Sequence, residues 1–145
     1  MSHIKVQRRV RPHYSEMSPS LAAKRLVAVI EDDAAVLSSI DFSLTAQGYD
    51  VCGFESAAPA LESPKIMVAD CLVIDYALPD MNGMALLAAL RRRGLSIPAI
   101  VIASNPTARC RSEVETAGVP LIEKPIMSEA LNELLHETLK RADQY

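Results

Sequence analysis

The sequence predicts an α/β sandwich in which helices cover both faces of a five-stranded parallel sheet. Two observations carry this. From Arg25 onward, short runs rich in Val and Ile alternate with longer stretches of helical period, the mark of repeated β-α units. The runs are also nearly all apolar instead of alternating, as strands buried on both faces are.

Strands are expected at RLVAVI (25 to 30), YDVCGF (49 to 54), CLVID (71 to 75), AIVIA (99 to 103) and VPLI (119 to 122). Val36, Ile40 and Leu44 form one helical stripe that stops at Gly48. Met84, Leu87 and Leu90 form another that stops at Arg91, Arg92, Arg93 and Gly94. The second helix, near Ser56 to Leu61, is short and weakly patterned. Asn105-Pro106 offers an N-cap and a first-turn proline for a fourth helix, and Ser128 offers a cap for a fifth, whose Leu131, Leu134, Leu135 and Leu139 face the sheet. The fourth helix, TARCRSEVETAG, carries few large apolar residues. It is expected to lie loosely on the sheet as a mobile, partner-facing surface.

Up to about Ala23 no period is sustained, and Pro12, Ser15, Ser18, Pro19 and Ser20 give a linker-like composition. Residues 1 to 24 are therefore read as a flexible basic arm and 25 to 145 as one domain. No run approaches the roughly eighteen uncharged apolar residues of a membrane span. The start, MSHIKVQRRVRPH, lacks the apolar stretch of a secretion signal, so a cytoplasmic protein with no membrane contact is expected. Cys52, Cys71 and Cys110 are odd in number and widely spaced, which predicts reduced packing residues and argues against disulfides or zinc. The net charge of −3 conceals a basic start, since Lys5, Arg8, Arg9 and Arg11 against Glu16 leave about −6 on the remainder. So acidic a body disfavours nucleic-acid binding, and four basic residues with no aromatic beyond Tyr14 make a poor nucleic-acid arm.

Right-handed crossovers bring the C-terminal ends of all parallel strands to one sheet edge, where open α/β folds bind ligands. Glu31, Asp32 and Asp33 follow the first strand, Asp75 ends the third, and Lys124 follows the fifth. Clustered oxygen ligands suit a hard cation such as Mg2+, which keeps several waters for a phosphate to replace. A metal and an ammonium group would neutralise a transferring phosphoryl group while one carboxylate, best Asp75, acts as nucleophile. Taken singly, each residue has a plainer explanation: Asp32 or Asp33 could cap the first helix, and Lys124 could simply be solvated.

The blocks IEDD (30 to 33), DYALPDMNG (75 to 83) and EKP (123 to 125) together resemble the signature blocks of response-regulator receiver domains. The resemblance covers about Leu26 to Leu139, and Asp32 lies 43 residues before Asp75 as Lys124 lies 49 after it. It implies a doubly wound three-layer fold with strand order 2-1-3-4-5. It further implies that Glu31 and Asp32 form the acidic pair, with Asp32 the direct Mg2+ ligand and Asp33 a neighbour. The backbone carbonyl of Ala77 would complete the metal site. Asp75 would be phosphorylated by a sensor histidine kinase or phosphotransfer protein, with Lys124 pairing first with Asp75 and then with the phosphoryl group. The Lys124-Pro125 bond would be cis, with Pro79 and Gly83 shaping the neighbouring loop. Such a protein is no enzyme beyond catalysing its own phosphorylation and dephosphorylation.

Two positions depart from the family pattern. Ala103 stands where receivers carry Thr or Ser at the end of the fourth strand, and Leu121 stands where an aromatic usually swings inward. Ser104 is adjacent, but strand side chains alternate in direction, so it could substitute only where the strand has already broken. Either the domain is phosphorylated and relays the signal differently, or it is a phosphorylation-independent interaction module. Intact Glu31, Asp32, Asp75 and Lys124 favour the first. Ala77 and Asn105 hold the two mouth positions that influence hydrolytic water in the family.

No second domain follows Tyr145, so output is expected through contact with a downstream protein. The fourth helix, fifth strand and fifth helix are the natural docking or homodimer face. Arg91, Arg92, Arg93, Arg109 and Arg111 are read as solvated, the first three favoured by a helix C-terminus. An aspartyl phosphatase would need a second acid two residues after the nucleophile, where Ala77 stands. A flavodoxin-like cofactor binder would need Gly-rich or hydroxyl-rich phosphate loops where acids stand.

Overall fold

A computed structural model describes residues 24 to 144. The expected basic arm, Lys24 excepted, lies outside the described residues. Strands β1 (Leu26–Ile30), β2 (Asp50–Phe54), β3 (Cys71–Asp75), β4 (Ala99–Ala103) and β5 (Leu121–Glu123) alternate with helices α1 (Ala34–Ala46), α2 (Ala57–Glu62), α3 (Gly83–Arg92), α4 (Ala108–Ala117) and α5 (Ser128–Ala142). The strands form one parallel sheet in the order 2-1-3-4-5, as the repeating β-α pattern and the resemblance predicted.

Alternation along each strand divides the core into layers. Val27 and Val29, Cys71 and Val73, and Ile100 and Ile102 pack against Ile40 and Leu44 of α1 and Leu131, Leu135 and Leu139 of α5. Ala28, Ile30, Leu72 and Ile74 face the other way, onto Ala57 and Ala60 of α2 and Leu86, Leu87 and Leu90 of α3. Every residue of β3 and β4 is buried, which explains why their sequences carry no polar alternation. The three cysteines are free and buried.

β1 and β2 each begin one residue later than expected, and three other element starts differ more. Helix α4 is capped by Thr107, whose Oγ1 accepts from the Cys110 amide at 3.1 Å, not by Asn105. Asn105 has φ 43, whereas an N-cap needs extended backbone, which Thr107 supplies at φ −78 and ψ 169. Helix α5 begins with Ser128 inside it. Its N-cap is Met127, which makes no side-chain cap bond, and Glu129 complements the dipole. Strand β5 starts two residues later than expected, at Leu121, where pairing with Val101 begins. The 3-10 turn at Pro64–Val68 was not anticipated; Pro64 starts it and Ser63 caps it.

Leu135 is fully buried, whereas Leu134, on the same predicted stripe, is only half-buried. Leu135→Ala is expected to lower stability by about 2–5 kcal/mol through lost burial and a cavity. Leu134→Ala should cost clearly less, both read from denaturant midpoints at constant slope.

Candidate functional site

Three strand ends deliver the charged groups. Glu31 follows β1, Asp75 closes β3, and Lys124 follows β5, where its amide donates to the Ala103 carbonyl at 2.9 Å. The Lys124-Pro125 peptide is cis. The ammonium of Lys124 sits 3.0 Å from Asp75 Oδ2 and 2.9 and 3.1 Å from the two oxygens of Glu31. Glu31 is fully buried and Asp75 is 3% exposed. The second oxygen of Asp75 accepts from the Ala77 amide at 3.1 Å, and Glu31 Oε2 accepts from the Asp33 amide at 3.0 Å.

Burial dominates the electrostatics of Glu31. It pushes the carboxyl up to about 7, although the Asp33 amide and Lys124 pull the other way. Burial also opposes the charge on Lys124, but its hydrogen bonds to Glu31 and Asp75 outweigh this and hold the ammonium above its ordinary range.

Glu31, Asp32 and Asp75 each offer an oxygen within 4.8 Å of the others. With Lys124 beside them, three carboxylates and one ammonium leave a formal excess of two negative charges, which one divalent cation would balance. Glu31 Oε1 lies near Lys124 Nζ without hydrogen-bond alignment and has no other partner among the described residues. All-oxygen donors, an exposed Asp32 and an under-satisfied buried oxygen fit a hard cation such as Mg2+.

Asp33 is placed differently: its Oδ1 caps α1, accepting from Ala35 and Val36 amides at 2.9 and 3.2 Å. Ala77 is exposed and pairs with Asn82 across the loop between β3 and α3. Gly83 opens α3 directly behind Asp75, where an added Cβ would come 2.2 Å from the Asp75 carbonyl oxygen. Pro79 is exposed on the same loop. Asp80 caps α2 from this loop, accepting from Ala57 and Ala58 amides at 2.9 Å each. Ser56, the residue directly before α2, makes no side-chain cap bond.

Beside Asp75 lies a cleft of about 300 Å³ walled by Ala77, Ala103, Ser104, Asn105, Thr107 and Lys124. Ala103 is buried with Val101 against Cys110 and Val114 of α4, and Leu121 packs on the same group. Ser104 is exposed, one residue past the end of β4. One polar contact at this wall was missed by sequence reasoning: the Tyr76 hydroxyl donates to Glu113 Oε1 at 2.6 Å. The partners are 37 residues apart, and no local signal pairs them.

Residues 27–136 match the family model of the response regulator receiver domain. The chain belongs to that family. Among similar proteins, the transcriptional regulatory protein FixJ of Bradyrhizobium diazoefficiens is 25% identical over 85% of this chain and 60% of its own length. KdpE of Mycobacterium tuberculosis is 32% identical over 64% of this chain and 41% of its own. The chain thus spans about half the length of these curated relatives. Of solved structures, the CheY-like receiver from Methanospirillum hungatei JF-1 superposes with a TM-score of 0.77 at 25% identity, covering 84% of this chain and 98% of its own. The structure titled FixJ-N gives 0.71 at 30%, covering 81% and 95%. Receiver domains are signalling modules that accept phosphoryl groups with Mg2+ at an acidic pocket. Among the described residues of this receiver, no helix is long and apolar enough to cross a membrane.

In metal-free protein between pH 4.5 and about 7, the folded state keeps a proton on Glu31 that the unfolded chain has released. Stability should therefore fall as pH rises through that window. Glu31→Gln is expected to flatten this part of the profile, measured by chemical denaturation in chelator. Gly83→Ala should destabilise the fold by about 1–3 kcal/mol, because its Cβ meets backbone and not a side chain that could move aside. Thermal melts of the variant and wild type check this.

Proposed function

We propose that this receiver accepts a phosphoryl group on Asp75 from the phosphohistidine of a sensor histidine kinase or phosphotransfer protein. The observation that carries this reading is the Lys124 ammonium held 3.0 Å from a buried Asp75 carboxylate. That cation can follow the charge from the carboxylate to the phosphoryl oxygens. A carboxylate oxygen of Asp75 attacks phosphorus; the P–O bond forms as the P–N bond breaks, and the electron pair stays on the imidazole, which takes a proton. Asp75 becomes an acyl phosphate. Glu31, Asp32, Asp75 and the Ala77 carbonyl are the residues that would hold Mg2+. That ion, when bound, supplies charge neutralisation to the transferring group.

Ala103 offers no hydroxyl to a phosphoryl oxygen. Ser104 lies on the cleft beyond the strand, where alternation no longer directs its side chain away, and it is proposed as the replacement donor. Output runs through contact with a downstream protein or a second copy at the face formed by α4, β5 and α5. The body as a whole carries a net negative charge, which supports a protein partner over nucleic acid.

A second reading, a phosphorylation-independent interaction module, draws on the paired departures at Ala103 and Leu121. Intact mass separates the two. With Mg2+ and a small phosphodonor, the wild type should gain one phosphoryl group, Asp75→Asn none, and Lys124→Ala should gain it about 10²–10³-fold more slowly. No gain in the wild type with any donor or kinase would favour the interaction module.

A further inference from the structure

A hydrogen bond that phosphoryl transfer does not use spans the wall of the cleft. The phenol of Tyr76, next in chain to Asp75, donates to Glu113 Oε1 midway along α4 at 2.6 Å. The other oxygen of Glu113 lies 3.5 Å from Arg109 Nε, one turn earlier on the helix. Tyr76 is also fixed through its backbone: its amide donates to the Ile102 carbonyl at 2.8 Å, and its carbonyl accepts from the Gly83 amide at 2.7 Å. Its ring packs with Val101, Ala103, Cys110 and Val114, so an aromatic from the end of β3 lies against the group containing Ala103.

Helix α4 has few other attachments. It buries Cys110 and Val114 alone, and its other side-chain link to a different element is the Arg111–Glu123 ion pair among the described residues. Tyr76 meanwhile sits at the centre of a tight turn that the Ala77 amide closes onto Asp75 Oδ1 at 3.1 Å. Esterifying Asp75 changes the acceptor that closes this turn and fills the cleft between Tyr76 and the segment leading into α4.

We infer that the Tyr76–Glu113 hydrogen bond transmits the occupancy of Asp75 to α4, in place of a relay through positions 103 and 121, where Ala103 and Leu121 offer no polar group. The inference rests on Asp75 being phosphorylated. When the turn closed by Asp75 and Ala77 changes, the residue inside it moves, and the helix tied to its hydroxyl moves with it.

The test uses the full chain with Mg2+ and beryllofluoride, an inert mimic of an aspartyl-bound phosphoryl group, and follows amide hydrogen exchange across residues 104 to 117. Wild-type α4 exchange should change about tenfold on occupancy, the scale of one hydrogen bond to a charged acceptor. Tyr76→Phe keeps the ring and its packing. It should exchange faster in α4 before occupancy, and occupancy should then change it less than about twofold. Glu113→Gln retains an acceptor oxygen and should keep a partial response, whereas Glu113→Ala should match Tyr76→Phe. An α4 response in Tyr76→Phe equal to that of wild type would overturn the inference, as would a wild-type α4 indifferent to occupancy. Phosphoryl gain by intact mass, run alongside, separates the two levels. Gain in both proteins with equal α4 responses removes the link alone, while no gain in the wild type removes the phosphorylation reading and the link together.

Discussion

The ammonium of Lys124, set between two carboxylates that are themselves out of water, is the interaction on which the rest of this structure depends. Two buried acids cannot both keep their charge without a cation close by, and here a single Nζ serves Glu31 and Asp75 at 2.9 to 3.1 Å. The three residues belong to β1, β3 and β5, so the cluster forms only if those strands end level at one edge of the sheet. Parallel pairing from Leu26 to Glu123 delivers that. Losing Lys124 would leave the two buried acids uncompensated, which costs about 3–5 kcal/mol. Even intact, the cluster is imperfect: burial still pushes Glu31 up to about 7. A site left short of positive charge is suited to gaining some from a divalent ion.

The α4 layer is built to a different standard from the rest of the sheet's cover, and the cleft lies beside it. Toward α1, α3 and α5 the strands meet Leu and Ile side chains in depth, and toward α2 they meet Ala57 and Ala60. Toward α4 they meet little more than Cys110 and Val114. The charged cluster therefore stands on close packing, while one wall of its cleft is a helix with low packing energy. In many receivers a strand-end hydroxyl and an aromatic on the fifth strand join these regions. Here Ala103 and Leu121 are both packed apolar residues of the α4 layer, and polar contact between centre and helix comes from Tyr76.

Much of this was legible in the residues themselves. Apolar runs at 71 to 75 and 99 to 103 mark β3 and β4 residue for residue, because burial on both faces leaves polar side chains nowhere to point. The acidic edge was legible because crossover handedness fixes which ends of parallel strands gather. Helix starts were less so. Asn105 and Ser128 both have good capping chemistry, yet capping depends on backbone conformation: Asn105 has φ 43 and Ser128 is already inside its helix.

The sequence by itself determined the parallel α/β architecture and the gathering of Glu31, Asp32, Asp75 and Lys124 at one edge, since period, handedness and residue chemistry are local properties written along the chain. Only the tertiary structure decided that Asp33 serves as a cap, that Asp80 reaches across to begin α2, that Gly83 must lack a side chain because the Asp75 carbonyl is behind it, and that Tyr76 bonds Glu113. Each of these is a meeting of specific atoms at ångström range. Except for the cap at Asp33, the partners come from different segments of the chain, and no periodicity records how those segments will dock.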